Sequence, residues 1–172
     1  MNDILVIDDH PLIGEACRLL LGAAGFENII VDLSLQGERL AGIELIGRIH
    51  SKDETVKILV FSIPADLGIF VLTIEAGATG YLIKDAPTDE LANAVHQVRS
   101  GHRYIAPQIA LKLAFLSNSL VAQEKRVLAL LMDGTSYASM ADQLGISKKS
   151  TIKLTIRVRR RLSPHTADEM IE

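Results

Sequence analysis

The sequence predicts an α/β domain built on a parallel sheet, followed by a small all-α domain. Through residue 101, short and nearly continuous apolar runs alternate with helical patterns. Such runs read as strands covered on both faces, which is the signature of a parallel sheet. Beyond Pro107 the strand-like runs stop. The charge also changes sign along the 172-residue chain: residues 1–118 hold 9 Lys and Arg against 15 Asp and Glu, and residues 119–172 hold 9 against 6. An acidic first part and a basic second part suggest two modules, the second suited to phosphate.

The elements follow in order. DILVID at 3–8 is a short apolar run closing on acids, hence a buried strand. Pro11 suits a helix first turn, Leu12, Ala16, Leu19, Leu20 and Ala23 recur at helical spacing, and Gly25 ends that helix over 11–24. ENIIVD at 27–32 is the next strand, and GIELIGRIH at 42–50 the next helix. VKILVFS at 56–62 is a third strand, 66–76 a helix stopped by Gly77, and TGYLIKD at 79–85 a fourth strand. Helix 88–100 follows, with Thr88 as its N-cap and Gly101 as terminator. Residues 108–119 are linker-like and partly helical. VAQEKRVLALLMD is a helix stopped by Gly134; Ser136 caps YASMADQLG, ended by Gly145; Ser147 caps KKSTIKLTIRVRRRL. Two helices joined by a tight Gly-containing turn, the second basic, form a helix-turn-helix pattern.

Composition narrows the classes. Apolar residues make up 48% and mean hydropathy is +0.26, enough for a core of Ile, Leu, Val and Ala, since aromatics are only 4%. No apolar run approaches the length of a membrane span, and MNDILVIDDH lacks the basic start of a signal peptide. Cys17 is the single cysteine and reads as a buried helix residue. His10, His50, His96, His102 and His165 show no metal-ligand spacing. A cytoplasmic protein is expected.

In open α/β sheets chemistry collects at the carboxyl ends of the strands. Asp8, Asp9, Asp32, Ser62 and Lys84 stand there. Three converging acids repel one another unless a hard cation sits among them, and Mg²⁺ with carboxylate and water ligands suits that place. A hydroxyl and an ammonium nearby would bind the oxygens of a phosphoryl group on one carboxylate. A plainer account has Asp8 and Asp9 capping a helix and Lys84 simply pairing with Asp32.

ILVIDDHPLIGEACRLLL, IIVDLSLQG, VKILVFS and EAGATGYLIKDAPTDELANAV together resemble the receiver domains of bacterial response regulators, most closely the NarL/FixJ family with a LuxR-type helix-turn-helix. The resemblance covers nearly the whole chain. It implies a flavodoxin-like fold in which Asp8, Asp9 and Asp32 hold Mg²⁺ and Asp32 accepts a phosphoryl group from a sensor histidine kinase. Ser62, Lys84 and Tyr81 then match the phosphoryl-contacting and switch positions. From residue 120 on, Glu124, Val127, Leu128, Gly134, Ala141, Leu144, Ile146 and Ser147 fall on the family's DNA-binding pattern, while Val121 and Ala122 replace its usual Thr-Pro opening. The implied division is 1–106 receiver-like domain, 107–119 linker and 120–172 LuxR-type DNA-binding domain, with residues 166–172 resembling the start of a dimer-forming helix.

The resemblance has a gap. Asp32 follows Asp9 by only 23 positions, most of them taken by helix 11–24, so one strand-helix unit is missing before the phosphoacceptor strand. Gln36 also stands where the family usually has Pro, and Gly37–Gly42 is slightly longer than usual. A competing reading takes ENIIVDL as the family's second strand and SLQGERLAGIELIGRIH as its helix, with the third unit lost. In the first case the family order 2-1-3-4-5 becomes 1-3-4-5, running one way. Right-handed crossovers would then leave helix 88–100 alone on one face. Three outcomes are open: a left-handed first crossover, a displaced helix 11–24, or burial of the bare face in an unusual homodimer, which is the one expected.

In the basic helix, one phase turns Thr151, Thr155, Val158 and Leu162 to the core; a one-residue shift turns Ile152 and Ile156 inward instead. The first is preferred. Lys148, Lys149, Lys153, Arg157, Arg160 and Arg161 then face double-stranded DNA. The expected function is a DNA-binding transcriptional regulator of the two-component type, not an enzyme, with a truncated receiver. A second reading, from a different class, is a protein-interaction module that sequesters a partner through its receiver-like domain without reading DNA.

Overall fold

Val31, Ile58, Val60 and Tyr81 have no exposure at all, as near-continuous apolar strand runs require of a sheet covered on both faces. The computed structural model describes residues 3–9, 26–35, 41–63 and 67–162. They contain strands β1 (Asp3–Ile7), β2 (Phe26–Val31), β3 (Lys57–Ser62), β4 (Gly80–Ile83) and β5 (Tyr104–Ile105). The helices are α1 (Ala41–Lys52), α2 (Leu67–Glu75), α3 (Thr88–Arg99), α4 (Pro107–Ser117), α5 (Ala122–Met132), α6 (Tyr137–Leu144) and α7 (Lys148–Leu162). The helix expected over 11–24, with Cys17, lies outside the described residues, as do residues 163–172.

The strands form one parallel sheet in the order β1-β2-β3-β4-β5. Ile7 pairs with Val31, Val31 with Val60, and Val60 with Tyr81. Because β2 lies between β1 and β3, it takes the place of the family's third strand, and the order runs one way. The competing reading would put β2 outside β1, at the edge. The two-residue β5 leaves no mark in the sequence, being too short to show any periodicity.

By internal packing the chain divides into two units: residues 1–64 with 76–106, and residues 65–75 with 107–172. In the first, Leu91, Ala94, Val95 and Val98 of α3 pack with Ile30, Leu59, Phe61 and Leu82 of the sheet. Counting helices predicts thin cover on that face, yet Ile30, Leu59 and Leu82 are at most 3% exposed. Ile4 and Val6, at the β1 edge, are half-buried. The cap expected at Thr88 sits one position earlier: Pro87 is the cap residue and Thr88 the first helical one. Proline fixes the φ of −57° there without offering a capping oxygen.

The second unit comprises α2 and α4 to α7. Helix α2 is apolar on every side, and seven of its nine residues are buried, which places it as a core helix against α4, α5 and α7. Ser136 Oγ accepts the Ser139 amide at 3.3 Å, and Gly145 (φ +65°) closes α6 in the left-handed conformation. Ser147 Oγ accepts the Ser150 amide at 3.2 Å and so opens α7. Thr151, Leu154, Thr155, Val158 and Leu162 face the core. The two threonines are tolerated there because Thr151 Oγ1 donates to Ser147 O (3.2 Å) and Thr155 Oγ1 to Thr151 O (3.0 Å). Ile152 and Ile156 are exposed, which rules out the shifted phase.

Candidate functional site

The ladder that pairs the strands also aligns their carboxyl ends. The Asp32 amide donates to Ile7 O at 2.9 Å, continuing the β1–β2 pairing and setting Asp32 beside Asp8. The Lys84 amide donates to Ser62 O at 2.9 Å and does the same for β3 and β4. Asp8, Asp9 and Asp32 thereby offer carboxylate oxygens that all lie within 4.8 Å of one another. Lys84 Nζ reaches Asp8 Oδ2 and Asp32 Oδ2, both at 2.7 Å, with the three side chains between 2% and 9% exposed. Burial opposes the charge of Lys84, but hydrogen bonds and attraction from Asp32 and Asp8 outweigh it and push its pKa up. Carboxylate oxygens are hard donors, so the three gathered here fit a hard divalent cation.

Asp32 is held at both oxygens: Oδ2 by Lys84 and Oδ1 by the Leu33 amide at 2.7 Å. Ser62 is buried at the end of β3, and Tyr81 is completely enclosed on β4. The five strand-end residues singled out in the sequence are therefore brought to the carboxyl end of the sheet. Sequence reasoning missed Gly42, which does more than open a helix. A β-carbon there would lie 2.2 Å from the Asp32 carbonyl oxygen and 2.6 Å from Leu33 Cα. The Gly42 amide donates to Leu33 O at 3.0 Å. Only a residue without a side chain lets α1 begin this close to the backbone of Asp32.

In the second unit, Lys148, Lys149, Lys153, Arg157, Arg160 and Arg161 are all exposed along α7. Arg161 is nonetheless engaged within the unit. Its Nη1 lies 2.6 Å from Glu124 Oε2, and Glu124 also accepts the Val121 amide at 3.1 Å. That arrangement compensates for the apolar cap residue Val121, whose side chain cannot accept a hydrogen bond. Arg159, not singled out in the sequence, bonds Glu75 of α2 through both Nε and Nη2 and donates to Tyr137 Oη at 2.5 Å. Burial raises the pKa of Glu75, opposed by Arg159; burial and then the Glu75 charge raise that of Tyr137. No local pattern could have announced a pair separated by 84 positions.

Residues 23–96 match the response regulator receiver domain family. The chain is 26% identical to the methanol utilization control regulatory protein MoxX of Paracoccus denitrificans, covering 98% of this chain and 88% of that protein. It is 37% identical to the transcriptional regulatory protein DesR of Bacillus subtilis over 72% of this chain and 60% of DesR. A crystal structure of a LuxR-family two-component response regulator from Aurantimonas sp. matches at TM-score 0.58 and 28% identity, covering 65% of this chain and 94% of that one. The MoxX alignment runs over 197 positions, more than the 172 residues of this chain. The surplus consists of residues with no counterpart here. Among the described residues no helix is long and apolar enough to cross a membrane.

Proposed function

We propose that the chain is a DNA-binding transcriptional regulator of the NarL/FixJ family of response regulators, whose shortened receiver accepts a phosphoryl group on Asp32. The observation that carries the DNA reading is α7, which buries Thr151, Leu154, Thr155, Val158 and Leu162 while turning Lys148, Lys149, Lys153, Arg157 and Arg160 to solvent. Basic side chains near the start of such a helix suit base edges, and those further along suit phosphates. Arg161 serves this function indirectly by holding Glu124 at the start of α5.

At the strand ends, Asp8, Asp9 and Asp32 would hold Mg²⁺, which supplies positive charge against the incoming phosphoryl oxygens. Asp32 offers a carboxylate oxygen as nucleophile; the bond from phosphorus to the donor breaks as the new one forms. Lys84 shifts its contact from Asp32 Oδ2 to a phosphoryl oxygen, Ser62 offers its hydroxyl to another, and Tyr81 lies on the strand that leads to the lysine. The donor is a sensor histidine kinase. The protein is a regulator rather than an enzyme, since the group it accepts stays on its own side chain. It works in the cytoplasm as a homodimer, with 1–106 as receiver, 107–119 as linker and 120–172 as DNA-binding domain; one packing division falls after Ala106, although residues 65–75 pack with the tail.

Two measurements test this. Incubation with a small phosphodonor and Mg²⁺ is expected to add the mass of one phosphoryl group, lost in Asp32→Asn. A gel shift titrated with salt is expected to show sequence preference and a steep salt dependence. Binding that is absent or blind to sequence would transfer support to the partner-sequestering module.

A further inference from the structure

Helix α7 carries an apolar pair on its basic face. Ile152 and Ile156 are 37% and 40% exposed, while the core-facing residues beside them, Thr151, Leu154, Thr155 and Val158, are at most 7% exposed. At i and i+4 the two isoleucines lie one above the other. Lys149, Lys153, Arg157 and Arg160 occupy neighbouring positions on the helix surface, so the stripe reads basic, apolar and basic again along one face. Helix propensity does not explain the isoleucines, because β-branched residues are poorer helix formers than Lys, Arg or Ala. Burial within the unit does not explain them either. A surface otherwise suited to a polyanion presents two side chains that gain only from an apolar contact.

Among the base edges, DNA offers such a contact in one place. In the major groove, the C5-methyl of thymine is the apolar group, flanked by the hydrogen-bonding edges of the other bases. We infer that Ile152 and Ile156 are specificity-determining residues that pack against thymine methyl groups, with Lys149 and Lys153 reaching adjacent guanine edges. This rests on the proposal that α7 enters the major groove. Four residues of helix rise about 6 Å, close to two base steps of about 3.4 Å. The half-site therefore carries thymines about two steps apart, on one strand or across the pair.

The test uses the full chain. Duplexes are selected from a randomised pool, and each thymine of the selected half-site is then replaced by deoxyuridine, which removes the methyl and leaves every hydrogen-bonding group. At two positions wild-type affinity is expected to fall by about fourfold per methyl, from about 0.8 kcal/mol per buried carbon. Ile152→Ala and Ile156→Ala are expected to lose a similar factor on the thymine duplex and to become indifferent to the matching uridine. Circular dichroism and Tm report that these exposed substitutions leave the fold intact. Equal wild-type affinity for thymine and uridine duplexes overturns the inference alone, as do alanine variants that still discriminate. Failure to enrich any duplex overturns both the inference and the DNA-binding reading beneath it.

Discussion

Arg161 and Arg157 both lie exposed on α7, four residues apart, yet their removal should fail in different ways. Arg161 Nη1 sits 2.6 Å from Glu124 Oε2; its own side chain is 47% exposed, whereas that of Glu124 is 5% exposed. The exposed arginine limits the direct ion-pair contribution to about 0–1 kcal/mol. The larger cost in Arg161→Ala is a buried carboxylate left with the Val121 amide, about 1–3 kcal/mol for an under-satisfied charged group. A total of about 2 kcal/mol lowers Tm by about 4–8 °C in a chain of this size. Among the described residues Arg157→Ala leaves no buried group unpaired, and it should leave Tm within about 1 °C. On DNA the order reverses. Each phosphate left without its cation reduces the slope of log affinity against log salt by about 0.9, or about 1.8 when two copies bind one site. Thermal melts and salt-titrated binding, below the melting range of both variants, separate the two effects. An Arg161→Ala protein that melts like wild type but gives up as much salt slope as Arg157→Ala would refute the assignment of Arg161 to Glu124.

Three further perturbations follow from the same geometry. Gly42→Ala places a methyl 2.2 Å from the Asp32 carbonyl oxygen; backbone must move, at about 1–3 kcal/mol, and phosphorylation measured by mass should slow along with the drop in Tm. Lys84→Met removes the ammonium that bridges Asp8 and Asp32 at 2.7 Å. Its Tm in chelator should fall, and the rise in Tm on adding Mg²⁺ should exceed that of wild type; an unchanged Mg²⁺ response counts against the cation site. Tyr104 donates to Glu90 Oε1 at 2.9 Å, and burial, then that bond, pushes its pKa from 10 to about 12. An acid whose pKa is raised on folding stabilises the folded state below its unfolded pKa. That contribution disappears as pH rises from 10 to about 12. Wild type should therefore lose Tm more steeply than Tyr104→Phe over that interval, and parallel curves would contradict the assignment.

The sheet is legible in the sequence because β1 to β4 are short and mostly apolar runs, and because the chemistry-bearing residues end those runs. Asp8, Asp9, Asp32, Ser62 and Lys84 can be placed at the carboxyl end of the sheet from order alone, since parallel strands align their carboxyl ends. The offset of 23 positions from Asp9 to Asp32 points to a missing strand-helix unit but leaves open which one, and only the pairing of β2 with both β1 and β3 decides the one-way order. Other features are invisible for physical reasons. A proline can cap a helix by geometry with no side-chain bond, so Thr88 looks like a better candidate than Pro87. Two residues, Tyr104 and Ile105, are too few to show strand alternation. The thin cover expected from counting helices overlooks how fully Leu91, Ala94, Val95 and Val98 can pack over β2 to β4. The pairings of Arg159 with Glu75 and of Arg161 with Glu124 join residues 84 and 37 positions apart. Periodicity alone leaves two phases open for α7, because threonines are acceptable in its core only when they bond back to their own helix, as Thr151 and Thr155 do.

Helix α2 gives the chain an unusual economy of parts. It is encoded between β3 and β4, inside the receiver-like segment, but it packs with the helices that follow residue 107. A receiver cut at Ala106 would carry Leu67, Phe70, Val71 and Ile74 without the helices that α2 packs on, and the tail alone would lack Glu75, the carboxylate partner of Arg159. No single cut in the chain separates the two packed units, so a chimera that exchanges the second must take residues 65–75 together with the tail.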